Sequence, residues 1–352
     1  MKIYRVGIIG LGRMGSTLEQ SIASACAVSE RLEVVAAAET IPERRVAFQE
    51  QWEVEAVYED YQLMVEKESL DLVAVCTTAT GLPKPGNRAP SLDFREDAHA
   101  DMAVHAANAG VPMLFVEKAM SCSVQKADEV LEACRKHGTV FNTGVLRRFS
   151  KRYKQIRDII AQGDIGELQA AVVYGAASLM HVHIHWMDTL SYLLGDPQIA
   201  AVRGDLIPRD LKVEHNRLEV DPQAVFQLAF ANGIEAWSVP AGGREYEVVG
   251  TKGTVRSMRD GAAVTFRKEG SSEGWPLQWD GESFPDAPPV STVVNCLEDL
   301  VDSYESGRPS LGNIEVTHHI TEACITVAES HRQRGRWVDL PMGNRDLYVF
   351  HV

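Results

Sequence analysis

The run Gly10-Leu11-Gly12-Arg13-Met14-Gly15 follows directly on an apolar, β-branched stretch beginning at Tyr4. Three glycines at this spacing between a strand and a helix restrict the fold sharply. The first permits a tight turn, the second lets a ligand approach the backbone, and the third lets the helix pack closely on the strand. The helix start then offers unpaired N–H groups and partial positive charge to a pyrophosphate. A second apolar run, Leu32 to Ala38, is followed by Glu39. This reads as a dinucleotide site made by Gly10, Gly12, Arg13, Met14, Gly15 and Glu39. A carboxylate at Glu39 accepts from ribose hydroxyls and repels a 2′-phosphate, which favours NAD over NADP. Arg44 and Arg45 lie close enough in sequence to offset that preference, so NADP stays open.

The rhythm of the first 145 residues supports the same fold. Apolar strand runs recur at Asp71 to Thr77, Met113 to Val116 and Thr139 to Thr143, with helical patterns at Ala98 to Ala109 and Val124 to His137. Near-continuous apolar strands separated by helices imply a parallel sheet covered on both faces. After about residue 150 a helix pattern (Tyr153 to Gln162) gives way to successive strand signals from Glu167 to Arg267, then to helices near 291–306 and 315–332. The expected fold is α/β: an N-terminal doubly wound parallel sheet (1–145) and a C-terminal α/β domain with a large, mostly antiparallel open sheet (146–334). Residues 335–352 are expected to return to the first domain. Two Gly/Pro-rich stretches, 80–96 and 270–290, read as long loops. The first leaves the carboxyl edge of the sheet, as a lid, a subunit contact or a tolerated insertion would.

Composition narrows the partners. With 35 basic and 49 acidic residues in 352, the net charge is −14, which disfavours nucleic acid and anionic membranes. No stretch approaches the ~18 uninterrupted apolar residues of a membrane span. The six cysteines form no CxxC pair, and the opening residues run straight into a strand pattern. The expectation is a reduced, cytoplasmic protein.

Three further features carry chemistry. Lys118 follows the apolar strand MLFV, which puts it at the sheet's carboxyl edge. Arg148 follows the next strand, placed either to contact ligand or to bridge to the second domain. The run His181-Val182-His183-Ile184-His185 allows three readings. In a strand the histidines share a face and can ligate a metal. In a helix His181 stacks on His185 and His185 on Asp188. In the third, they simply line a polar groove.

Beyond the glycine turn, the chain resembles the Gfo/Idh/MocA oxidoreductases, named for glucose–fructose oxidoreductase and inositol dehydrogenase. The resemblance rests on VGIIGLGRMG, the acidic Glu39, VAVCTT at 73–78, and His99…Gly110…Glu117-Lys118. It continues through RRF at 147–149, GDIGEL at 163–168, HIHWMD at 183–188 and VVGTKGTV at 248–255. It implies hydride transfer between NAD(P) and a hydroxyl or carbonyl carbon of a sugar, sugar derivative or cyclitol. Thr77, Thr78, His99, Glu117 and Lys118 would join the cofactor residues. Lys118 and His185 would be catalytic, the lysine on the reacting oxygen and the histidine moving its proton. His181 would share in catalysis, and Arg148, His181 and Asp188 would contact substrate. It also implies a homodimer or homotetramer through the open sheet face, and no metal.

The chain departs from the family pattern at three places. His181 stands where inositol-dehydrogenase-like members carry Asp, which weakens the hold on the base. Thr77-Thr78 replaces the usual threonine–proline. Ala119 replaces the usual Pro, so the bond after Lys118 is expected to be trans or strained. The alternatives are a non-catalytic sensor of NAD(P) or sugar on the same fold, and a metal-dependent enzyme using the histidine run.

Overall fold

A computed structural model describes residues 2–78, 97–269, 279–283 and 291–351. The expected loop at 80–96 lies outside the described residues.

The first half alternates as the sequence predicts. Its elements are β1 (Tyr4–Ile9), a π turn (Arg13–Thr17), α1 (Ile22–Val28), β2 (Leu32–Ala38), α2 (Pro42–Trp52), β3 (Ala56–Tyr58), α3 (Tyr61–Lys67) and β4 (Leu72–Val75). Then follow α4 (Ala98–Asn108), β5 (Met113–Val116), α5 (Val124–His137) and β6 (Val140–Thr143). The six strands are parallel in the order β3-β2-β1-β4-β5-β6. This is the doubly wound arrangement, in which the strand order reverses between β1 and β4, and ligands bind beyond the carboxyl ends there. Leu72 to Val75 and Met113 to Val116 are buried throughout, because both faces of the sheet are covered.

The second half contributes α6 (Lys151–Ala161), β7 (Leu168–Tyr174), a π turn (Leu179–His183), α7 (Ile184–Leu193), β8 (Ile199–Ile207), β9 (Arg217–Leu218) and β10 (Gln223–Phe230). It continues with β11 (Glu235–Val239), β12 (Glu245–Gly250), β13 (Gly253–Met258), β14 (Ala263–Glu269) and β15 (Trp279–Ser283). α8 (Thr292–Ser306), α9 (Ile314–Arg332), β16 (Val338–Asp339) and β17 (Tyr348–Val349) close the order. Among the described residues a nine-stranded sheet runs β15-β14-β13-β12-β7-β11-β10-β8-β16, antiparallel except where β7 meets β11. Its strands alternate sharply. Ala171, Val173, Ala236, Tyr246, Val248 and Val255 are buried, while their neighbours Val172, Trp237, Val249 and Arg256 on the other face stay half-exposed. Within the expected loop 270–290, residues Trp279–Ser283 instead pair with β14, because backbone pairing to an edge strand outweighs the weak strand propensity of Asp, Gly and Glu there. The rest of that stretch lies outside the described residues.

The chain forms two compact units. Unit one holds residues 1–149, 290–321 and 350–352; unit two holds 150–289 and 322–349. Residues 290–321 therefore differ from the expected division at 146–334. The cause is hydrophobic: Val293, Cys296, Leu297, Leu300 and Val301 of α8 are buried in the core that also holds Ile8, Ile22, Phe48 and Phe115. Of the segment 335–352, only residues from 350 on belong to unit one. All six cysteines are free and buried.

Candidate active site

The carboxyl ends of the parallel strands lie level with one another. Gly10 N–H donates to Ala38 (2.8 Å), Cys76 N–H to Ile9 (2.7 Å), Glu117 N–H to Val75 (2.9 Å) and Gly144 N–H to Val116 (3.2 Å). This ladder brings the glycine turn, Glu39, Thr77 and Glu117 to one edge of unit one.

Each glycine of the turn has its own reason. Gly10 has φ +89°, and a side chain there would press on the Thr77 backbone nitrogen, 2.8 Å from its Cβ. A Cβ on Gly15 would sit on the Gly10 carbonyl oxygen. Beside Gly12 the nearest atom to such a Cβ is an Arg44 guanidinium nitrogen 3.9 Å away. The backbone is therefore open on that side, as a pyrophosphate needs. The helix that the motif opens is interrupted. Arg13–Thr17 is a π turn with exposed Arg13 and half-buried Met14, and the chain then leaves the helix at Leu18. It restarts at α1, where the Ser21 hydroxyl accepts from Ser24 N–H.

Glu39 is buried, and its carboxylate is already engaged. It accepts from Leu11 N–H (3.0 Å) and Ile41 N–H (3.1 Å), with Arg44 at 3.4 Å. Arg45 donates to the Glu39 carbonyl at 2.6 Å.

Lys118 is half-buried at the end of β5. Its backbone N–H donates to Glu117 Oε2 at 3.0 Å. Glu117 Oε1 is buried with no partner among the described residues. Burial pushes the Glu117 carboxyl up to about 7, against the pull of the Lys118 charge. Gly144 makes room for it: a Cβ there would lie 2.6 Å from the carboxylate. The buried His99 ring faces two carbonyls, Ala119 through Nδ1 (2.8 Å) and Thr77 through Nε2 (2.9 Å). Burial and, less, the Lys118 charge lower its pKa, so the neutral ring donates to one carbonyl at a time. Thr77, whose carbonyl this ring faces, and Thr78 are half-buried. The Lys118–Ala119 bond is cis, which corrects the trans expectation. Imidazoles hold the carbonyls on both sides of it, His351 on Lys118 and His99 on Ala119, so tertiary hydrogen bonds override the local preference.

Arg148 is buried in the turn Leu146–Phe149 and donates to the Leu311 carbonyl at 3.3 Å, inside unit one.

Unit two carries the histidine run on a helix. His181 lies in the π turn, exposed; His185 is half-buried in α7, one turn on; Asp188 is buried. Two residues on a helix turn roughly 200°, so His183 faces away from the other two. It is fully buried, stacked on Trp186 (4.6 Å) and edge-on to Phe226 (5.3 Å). Neither ring nitrogen has a partner among the described residues, and burial drives its pKa down to about 3. The strand reading, in which three histidines share a face, is thereby overturned. Among the described residues no group of three His, Cys, Asp or Glu side chains is placed to hold a metal. Asp221, which the sequence reading missed, holds this segment: its carboxylate accepts from Met180 N–H (2.7 Å) and His181 N–H (2.9 Å). No spacing pattern links residues 40 apart.

Unit one is thus a dinucleotide-binding domain by its strand order and glycine turn. Comparison with known proteins gives the family. Residues 4–145 match the Gfo/Idh/MocA oxidoreductase family's NAD-binding Rossmann fold, and residues 174–340 match its C-terminal alpha/beta domain. The chain belongs to the Gfo/Idh/MocA family of oxidoreductases, and its first unit is the NAD-binding domain. It is similar to myo-inositol 2-dehydrogenase of Thermotoga maritima (24% identical, covering 87% of this chain and 89% of that one). It is also similar to an uncharacterized oxidoreductase, YrbE, of Bacillus subtilis (26%; 71% and 72%). Of the inositol 2-dehydrogenase of Salmonella typhimurium it matches about half the length (27%; 54% and 55%). Among solved structures, aldose-aldose oxidoreductase from Caulobacter crescentus shares the fold at TM-score 0.75 (20%; 97% and 100%). Levoglucosan dehydrogenase, solved with NADH and L-sorbose, shares it at 0.77 (17%; 97% and 100%). The residues present fit NAD: the open side of Gly12, the carboxylate closing β2, and the unpartnered Glu117 oxygen at the strand ends.

Among the described residues no helix is long and apolar enough to cross a membrane.

Proposed function

We propose that the chain transfers a hydride between NAD and a hydroxyl-bearing or carbonyl carbon of a sugar, sugar derivative or cyclitol. The observation that carries this reading is the Glu117–Lys118 pair at the carboxyl end of β5, level with the glycine turn. When bound, the nicotinamide supplies the hydride acceptor or donor. Lys118 holds the substrate oxygen and stabilises negative charge as it develops. His185 takes or returns the hydroxyl proton. His181 tunes that base, and Asp188 and Arg148 help to position substrate. Glu117, His99, Thr77 and Thr78 shape the cofactor side. Glu39 favours NAD; Arg44, already beside it, leaves NADP a weaker second cofactor. The half-exposed sheet face with Trp237 and Val172 covers itself in a homodimer or homotetramer. Six buried free thiols fit the cytoplasm.

The test is NAD⁺ reduction at 340 nm over inositols, aldoses, glucosides and levoglucosan. Turnover on at least one is expected, falling roughly 10²–10⁴-fold in Lys118→Ala and in His185→Ala. NAD binding by dialysis with no turnover on any substrate would overturn the reading and leave the sensor.

A further inference from the structure

We infer that His351 is a positioning residue for Lys118. This rests on the role proposed above for that lysine. His351 lies 233 positions away in sequence, is completely buried, and places Nε2 2.9 Å from the Lys118 carbonyl oxygen. A carbonyl only accepts, so this contact is a hydrogen bond in the tautomer that carries its proton on Nε2.

A lysine has a flexible four-carbon stem, and its ammonium is only as well aimed as the backbone beneath it. A displacement of about 1 Å in a reacting group is enough to lose some 10²-fold in rate. Three contacts hold this backbone. The Lys118 N–H is fixed by Glu117, the Ala119 carbonyl faces His99 Nδ1, and the Lys118 carbonyl is held by His351. Removing the third leaves a carbonyl without this donor and frees the peptide plane from which the side chain departs.

The test compares His351→Leu with His351→Gln, whose carboxamide can still donate. Reductive ¹³C-methylation gives Lys118 an NMR signal, assigned by its loss in Lys118→Arg. The leucine variant is expected to shift or broaden that signal. It should also lower kcat about tenfold with KM for NAD changed less than twofold. The glutamine variant should restore both. An unchanged Lys118 signal and unchanged kcat in folded His351→Leu would overturn the inference. If the leucine variant does not fold, long-range ¹H–¹⁵N spectra of the unmodified chain decide: an Nε2–H tautomer supports it, and an Nδ1–H tautomer sinks it. Should the wild-type chain turn over no substrate, the dehydrogenase reading fails on its own, while the Lys118 signal still judges His351.

Discussion

Glu117 shows how one residue links packing to chemistry. A carboxyl pushed up to about 7 by burial contrasts with its ordinary 4.5 in an unfolded chain. The folded state therefore holds the extra proton between those values, and this contribution to stability is lost as pH rises from 4.5 through 7. For the cofactor-free protein we expect wild type to lose on the order of 3 kcal/mol relative to Glu117→Gln between pH 4.5 and 8, read from urea denaturation. Equal slopes for the two proteins would contradict the burial argument. The motif made Glu117 visible in the sequence, but its unpartnered oxygen depends on Gly144 and on strand register, which no local pattern encodes. The same holds for Asp221 and His351. Each acts on backbone groups far away in sequence, so neither carries a spacing signal.

At the scale of elements, the legible ones are those whose burial is uniform or strictly periodic. Met113–Val116 and Val124–His137 stand where the sequence puts them, the helix ending at Gly138 in the left-handed conformation. The three-residue β3, half-buried throughout, offers no periodicity to find. The histidine run is ambiguous for the opposite reason, since three residues at every second position fit both a strand and a helix. Its helical register sets a pH dependence. His183 is neutral in the fold with a pKa of about 3, against 6.5 when unfolded. The unfolded chain binds the extra proton, so stability falls as pH drops below 6.5. Between pH 7 and pH 5 the wild type should lose about 2 kcal/mol that His183→Phe keeps. The phenyl ring fits between Trp186 and Phe226 and has no nitrogen to leave unpaired. Parallel denaturation curves at the two pH values would refute the assignment.

For the whole molecule, the open sheet face is the feature that the proposed assembly turns on. Trp237, Val172 and Val239 stand half-exposed there, flanked by the Arg256–Glu245 ion pair. Trp237→Glu places a charge at the centre of that apolar strip. Light scattering should show wild type as a dimer or tetramer and the variant as monomer; a monomeric wild type would dispose of the idea. The length of 352 residues and the change of strand rhythm near residue 150 were enough to anticipate two units, but not their boundaries, because α8 reveals its partner only through the core it enters. The chain passes from one unit to the other at 149/150, 289/290, 321/322 and 349/350. Neither unit is thus a single stretch of gene. Transplanting the substrate half onto another cofactor domain takes four junctions, one of them inside the continuous helix α9. A simple cut near residue 150 would strip α8 from the fold that depends on it.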